Sequence, residues 1–298
     1  MMNDYCLKIS NKNPIAAVCS GTYDNKYVSI IKDIPDTDRD PFEQLDTSDF
    51  VNGYKLLNRI EQKKIVLALK NNENIDHLIP GIADKYKNIC KNSLKLDSGK
   101  FVIMPSKTSE RVFIAGASGV GKSCLTSMYM NEYKQIYPSR QIYLFTTHED
   151  EKAYKHHNIN QILLDDNFGI EKYNLKDLEN SLVVFDDCDN LQNSKIANKI
   201  TLLNNDLISN GRKYQIHVIT LSHQLMDYKR TRLLLTEANK VVFFLGSGKY
   251  HINRYLRVYC GFDNEQIKRI LKLRSRWVCL SFTIPNYFIS EHEIGILN

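Results

Sequence analysis

Hydrophobic and polar positions change rhythm once along the chain, near Arg111. Beyond it, short apolar runs alternate with stretches of helical spacing. The runs are Arg111–Ala115, Gln141–Thr146, Leu182–Asp186, Ile216–Leu221, Val241–Leu245 and Trp277–Thr283. A strand covered on both faces needs no polar side, so each run reads as a buried strand. Their alternation with helices predicts a mainly parallel sheet. Cys124 to Tyr137 reads as a helix. Asn190 to Asn210 reads as another, with Ile196, Ile200, Leu203 and Leu207 on one side and Asn210-Gly211 as C-cap. Gly261 to Leu273 reads as a third, with Asp263 as its N-cap.

Before Arg111 the pattern is mixed. Residues 13–34 predict a β-hairpin turning at Gly21-Thr22-Tyr23-Asp24-Asn25. Asp33 to Asp49 is acidic, carries Pro35 and Pro41, and reads as an exposed loop. Tyr54 to Leu69 has helical spacing, with Leu56, Ile60, Ile65 and Leu69 near one face, and a polar helix is expected over Ile82–Lys91. Leu94 to Met104 reads as a second hairpin turning at Asp97-Ser98-Gly99-Lys100. No catalytic pattern occurs here. The expected division is an accessory or docking region over residues 1–104 and a catalytic domain over residues 105–298.

Composition narrows the classes. With 298 residues, 43% hydrophobic and 25% charged, the chain can bury a sizeable core and has a soluble, globular balance. No apolar run approaches the length of a membrane helix, and the polar start lacks a signal-peptide pattern. Seven scattered cysteines without a C-x-x-C pair point to a reducing, intracellular compartment and away from a zinc site. A net charge of +6 permits a polyanionic partner without requiring one.

The chemistry begins at Gly116-Ala117-Ser118-Gly119-Val120-Gly121-Lys122-Ser123, which fits the phosphate-binding P-loop pattern. A strand precedes it and a helix opening at Cys124 follows. Glycines let backbone N–H groups curl around an anion at a helix N-terminus. Lys122 is the expected partner of the β- and γ-phosphates, and Ser123 the expected Mg²⁺ ligand. Ser181-Leu182-Val183-Val184-Phe185-Asp186-Asp187 ends a buried strand in two acids, where open α/β sheets bind ligands. Asp186 is read as the second Mg²⁺ ligand and Asp187 as the group that polarises the attacking water. Asp189 reads as a helix cap.

A strand in sequence between the P-loop and this acidic strand marks the additional-strand class of P-loop ATPases. No guanine-specific N-K-x-D or transporter L-S-G-G-Q signature occurs. At the end of Ile216–Leu221 stand Ser222-His223-Gln224; Gln224 is the expected γ-phosphate sensor, with His223 the weaker candidate. Arg212 is a candidate arginine finger, acting in cis or across a subunit interface. The expected fold class is thus α/β: a P-loop NTPase with an added strand between its two nucleotide motifs, helices flanking the sheet, and a smaller α+β region in front.

Taken together, Phe101-Val102-Ile103-Met104-Pro105, the strand and P-loop from Arg111 to Ser123, Phe145-Thr146-Thr147, Phe185-Asp186-Asp187, Gly211-Arg212-Lys213 and Leu221-Ser222-His223-Gln224 resemble the poxvirus-type genome-packaging ATPases of large DNA viruses and virophages, within the FtsK–HerA superfamily. The likeness covers roughly Val102 to Leu245, and departs from the pattern in placing His223 before the glutamine. It implies a ring-forming homo-oligomer that uses ATP and Mg²⁺ to pump double-stranded DNA into a preformed capsid, in a host cytoplasmic factory or the virion. Lys229, Arg230, Arg232, Lys240, Lys249, Arg254, Arg257, Lys268, Arg269, Lys272, Arg274 and Arg276, interleaved with Tyr228, Tyr250 and Tyr255, offer a basic lining for phosphates, and Lys229–Arg232 reads as a pore loop. The alternatives are a helicase or helicase loader in replication, and a non-hydrolysing ATP-binding assembly protein.

Overall fold

The computed structural model describes residues 5–32, 54, 57, 59–82, 93–149, 151–166, 168, 173–227, 231–246 and 248–297. They form two sheets. The smaller is antiparallel and has four strands in the order β1-β3-β2-β5: β1 Tyr5–Ile9, β2 Pro14–Cys19, β3 Tyr27–Lys32 and β5 Lys100–Ile103. The larger has ten, in the order β4-β14-β13-β12-β11-β6-β10-β9-β7-β8. Its members are β4 Ser93–Lys95, β6 Arg111–Ala115, β7 Ile142–Thr146, β8 Asn160–Leu163, β9 Leu182–Asp186, β10 His217–Ser222, β11 Lys240–Phe244, β12 Trp277–Ser281, β13 Tyr287–Ser290 and β14 Glu293–Ile296. From β8 to β11 all pairs are parallel; from β11 to β4 they are antiparallel. The helices are α1 Arg59–Lys70, α2 Lys122–Ile136, α3 Ser194–Asn210, α4 Arg232–Glu237, α5 Lys249–Val258 and α6 Asn264–Leu271.

Strand alternation assigns side chains to two layers. On one face Phe113, Val183, Phe185, Val218, Val241 and Phe243 pack against α3, α5 and α6. On the other Val112, Ile114, Val184, Ile219, Leu221 and Val242 meet Leu125, Tyr129, Met130 and Tyr133 of α2, and Ala16, Val18, Phe101 and Ile103 of the small sheet. The apolar runs of the central strands are thus explained: every residue of β9, β10 and β11 is buried.

The expected hairpin at residues 13–34 is present as β2 and β3. The one at Leu94–Met104 is not. Its two strands exist, but β4 pairs with β14 in the large sheet while β5 pairs with β2 in the small one. The reason lies in the turn. Gly99 has φ +84°, and a Cβ there would stand 2.0 Å from the Ser20 carbonyl oxygen, so the turn folds onto residues 19–21. A strand from residues 1–104 therefore belongs to the catalytic sheet. In α1 only Ile65 is buried, and Ile60 and Leu69 face outward, contrary to the expected stripe. The acidic loop at 33–49, and residues 83–91 of the polar helix, lie outside the described residues.

Helix α3 begins later than expected, at Ser194, because the Asn193 side chain accepts hydrogen bonds from the Lys195 and Ile196 backbone N–H groups. Gly211 does not end it in a left-handed cap; the chain continues as a 3-10 turn over Gly211–Tyr214, and Gln215 takes the left-handed position. Asp263 caps α6 as expected, in a capping box with Gln266.

A buried ion pair ties the connector between the sheets to the base of the large one. Lys240 Nζ lies 2.8 Å from Glu110 Oε2, with both side chains 4% exposed. Lys240 also donates to the Met104 carbonyl at 2.7 Å, and Glu110 accepts from the Ser106 N–H at 2.9 Å and the Tyr129 hydroxyl. Burial pushes the Glu110 carboxyl up; Lys240 beside it more than offsets this, and the net displacement is below the ordinary value. Lys240 is accordingly removed from any basic nucleic-acid surface.

Candidate active site

The site forms where β6, β9 and β10 end. In space β10 lies between the other two. The P-loop leaves β6, the acid pair ends β9, and the strand tip between them faces both. The strand expected to be the added one, β7, lies outside β9 instead; the strand that stands between the P-loop strand and the acidic strand is β10, because chain order does not fix order in the sheet.

The loop's backbone depends on its glycines. Gly119 has φ +75° and Gly121 φ +104°, left-handed values that side chains resist. Gly116 is needed for space: a Cβ there would meet Phe244 at 2.8 Å and Val120 at 2.9 Å. Residues 116–121 then deliver the chain into α2, whose first residues are Lys122, Ser123 and Cys124. Lys122 Nζ donates to the carbonyls of Gly116 at 2.9 Å and Ala117 at 3.2 Å, and lies 3.5 Å from His223 Nδ1. The ammonium is held directly beside the loop.

Asp186 is 2% exposed. Its Oδ2 accepts from the Ser123 hydroxyl at 3.0 Å and from the Tyr154 hydroxyl at 2.7 Å. Its Oδ1 is buried and has no hydrogen-bond partner among the described residues. Burial raises this carboxyl, and the two hydroxyl donors offset only part of that. Burial, with Asp186 next to it, also holds the Tyr154 phenol well above its usual range, so it serves as a donor. An orphaned carboxylate oxygen beside the P-loop serine is what a divalent cation would satisfy. The residues present therefore fit Mg²⁺ at the expected pair, Ser123 and Asp186.

Asp187 takes a left-handed conformation, φ +54°. Two imidazoles hold it: His223 Nε2 at 3.0 Å from Oδ1 and His148 Nε2 at 3.1 Å from Oδ2. Asp189 is no helix cap. Its Oδ2 accepts from the Ser222 hydroxyl at 2.7 Å and the His223 N–H at 2.8 Å, fixing the turn after β10. That turn sends His223 inward and Gln224 outward. Gln224, the expected γ-phosphate sensor, has an exposed side chain that lines a cavity with Gly116, Ala117 and His223, and its backbone N–H and carbonyl engage Ser222 Oγ. The Gly116 N–H donates to the Ser222 carbonyl at 3.0 Å, joining the P-loop to the same strand tip.

Arg212 is exposed and precedes β10, at the opposite edge of the sheet. The strand's residues, at roughly 3.3 Å each, leave it about 20 Å from the site. A role in cis within one subunit is excluded by this placement. Lys229 and Arg230 of the expected pore loop lie outside the described residues. His148, Tyr154 and His157, all in the segment after β7, went unnoticed in the sequence because no spacing rule links that stretch to β9.

A glycine-shaped loop opening a helix, a buried aspartate bonded to its serine, and a further strand between them define a P-loop NTPase fold of the additional-strand class. No protein-family model matches the chain. It is 32% identical over 205 residues to the uncharacterized protein V3 of Sputnik virophage, a match spanning 68% of this chain and 83% of that protein. The chain belongs to the same family as this virophage protein. Solved structures with a similar chain path include the DNA-packaging ATPase B204 from Sulfolobus turreted icosahedral virus, at 13% identity over 62% of this chain and 98% of that one, TM-score 0.45. Another is the cytoplasmic domain of the Thermomonospora curvata type VII secretion ATPase EccC, at 14% identity over 67% of this chain and 28% of that one, TM-score 0.46.

Proposed function

We propose that the chain is a DNA-translocating motor that packages double-stranded viral DNA, working as a homo-oligomeric ring. The observation that carries the reading is the tip of β10. His223 lies between Lys122 and Asp187, and Ser222 bonds the first P-loop residue, so one strand end touches the P-loop, its lysine and the second acid. The chain leaving that tip runs directly into the basic stretch from Lys229 to Arg232.

Residues 116–124 bind the triphosphate through backbone N–H groups and the α2 N-terminus. Lys122 exchanges its carbonyl partners for phosphate oxygens. Ser123 and Asp186 hold Mg²⁺, which when bound neutralises charge on the phosphates. Asp187, oriented by His148 and His223, positions and polarises the attacking water. His223 senses the γ-phosphate, and Gln224, one residue on, relays movement of the turn. Arg212, exposed at the far sheet edge, is available only to a neighbouring subunit's site.

Helix α5 opens just after β11, at the same edge as the P-loop. Lys249, Arg254, Lys272 and Arg274 are exposed and form no ion pair among the described residues. Lys268, Arg269 and Arg276 are instead partnered by Glu265, Glu293 and Glu291. The free cations supply phosphate contacts without base reading, as a translocating motor needs.

The test is the ATPase rate of wild type and Lys122→Ala, with and without long duplex DNA. Turnover stimulated by duplex, and reduced roughly 10²-fold or more in the variant, is expected. Stimulation by single strands alone would instead indicate a helicase or helicase loader. Tight ATP binding without turnover would indicate an assembly protein.

A further inference from the structure

The segment that follows β7 touches the active site twice and the P-loop helix once. His148 Nε2 reaches Asp187, the Tyr154 hydroxyl reaches Asp186, and His157 Nε2 lies 2.7 Å from Ser127 Oγ on α2. One short stretch thus contacts both acids of β9 and the helix that the P-loop opens. Tyr154 is the innermost of the three. It is 2% exposed and sits at the end of a 3-10 turn, Lys152–Tyr154, with its ring in the apolar layer that includes Leu125, Tyr129 and Leu144.

A carboxylate at the end of a strand can rotate about its terminal torsion. Here Oδ2 is engaged by two hydroxyl donors from different elements, Ser123 on α2 and Tyr154 after β7. Two donors converging on one oxygen fix the rotation and leave the buried Oδ1 as the acceptor without a hydrogen-bond partner among the described residues. Ser123 is itself an expected cation ligand: its hydroxyl can give a lone pair to the ion while its one proton stays on Asp186, so its position is tied to the ion's. The buried phenol has no such second duty.

We propose that Tyr154 is the positioning residue of Asp186, holding its carboxylate in the rotation that keeps Oδ1 open for the divalent cation accompanying the nucleotide. The inference rests on the nucleotide-site reading above. It assigns to the segment after β7, which carries no nucleotide motif, control over metal dependence rather than over phosphate binding.

The test uses the full chain, wild type and Tyr154→Phe, which keeps the ring and removes only the hydroxyl. Binding of a fluorescent ATP analogue is titrated with Mg²⁺ and repeated in EDTA. The Mg²⁺ concentration for half-maximal binding should rise about 10- to 100-fold in the variant, as for other partners that orient a metal ligand. Metal-free nucleotide affinity and the urea midpoint should stay close to wild type. On an Asp186→Asn background the Tyr154→Phe shift should vanish. A shift that persists there, or one that only tracks the urea midpoint, assigns Tyr154 to packing and overturns the proposal. An unshifted Mg²⁺ dependence beside a wild type that binds Mg²⁺-nucleotide overturns it while leaving the site reading intact. A wild type that binds no nucleotide brings down both.

Discussion

Replacing Lys240 by methionine probes the connector that joins the two sheets. The substitution keeps the aliphatic stem and removes the ammonium that lies 2.8 Å from Glu110. Breaking a buried ion pair from one side costs roughly 3–5 kcal/mol. The structure bounds the figure further. Glu110 keeps the Ser106 N–H and the Tyr129 hydroxyl, and it can also escape its burial by taking up a proton. From an ordinary value of 4.5, protonation at pH 7 costs about 3.4 kcal/mol, at roughly 1.36 kcal/mol per pH unit. The Met104 carbonyl loses a donor as well, worth about 1 kcal/mol. A loss of about 4 kcal/mol at pH 7 follows. The sign with pH is also fixed. The wild-type carboxyl is held below its unfolded value, so its contribution is present above that value and fades as pH falls through the folded one. The variant instead carries a protonated Glu110 that acid no longer penalises. The gap between the two proteins should therefore narrow by about 2–3 kcal/mol between pH 7 and pH 5. Urea unfolding at both pH values measures it, with Lys240→Met/Glu110→Leu as the companion that removes both charges and should recover most of the loss. A single variant within about 1 kcal/mol of wild type, a gap that ignores pH, or a double variant as weak as the single would each refute the reasoning.

Other expectations follow from the site and the core. His223→Ala should lower ATP turnover about 10²-fold, while Gln224→Ala stays within about threefold, because only His223 contacts both Lys122 and Asp187; steady-state kinetics compare them. Gly121→Ala forces a side chain to φ +104° and should cost about 1–2 kcal/mol in thermal stability and weaken nucleotide binding. His217 is fully buried, neither ring nitrogen has a hydrogen-bond partner among the described residues, and burial pushes it down to about 4. Its folded value lies below the unfolded 6.5, so stability is fully present above pH 6.5 and is lost as pH falls toward 4, by about 3 kcal/mol in all. His217→Phe should remove that slope in pH-dependent unfolding, since an aromatic ring fits beside Tyr133 and Tyr137.

Much of the site was legible because it is written in local rules. The P-loop needs glycines at set positions, and the buried strands need unbroken apolar runs; both leave a mark in neighbouring residues. β6 and β9 fall where those runs predict, and β7, β10, β11 and β12 within one or two residues of their starts and ends. What was hidden depends on partners distant in sequence. The turn after β10 is set by Asp189, 33 residues away from Ser222, and that decides whether His223 or Gln224 faces inward. Tyr154 meets Asp186 across 32 residues without any repeating interval. β13 and β14 have four residues each, with Ser290 closing the first and Glu293 opening the second, so their apolar runs are too brief to stand out. For Arg212 the sequence left a role in cis or across a subunit interface open, because the length of β10 that separates it from the site shows only in the fold.

The pairing of β4 with β14 has a practical consequence for anyone dissecting this chain. Starting the protein at Pro105, the apparent seam, would strip the outermost ribbon from the main sheet and bare the backbone of Glu293–Ile296. A naked rim of that kind recruits other copies. Such a fragment would clump through its C-terminal border, however sound its nucleotide pocket, and multimers it formed would be artefacts of surgery.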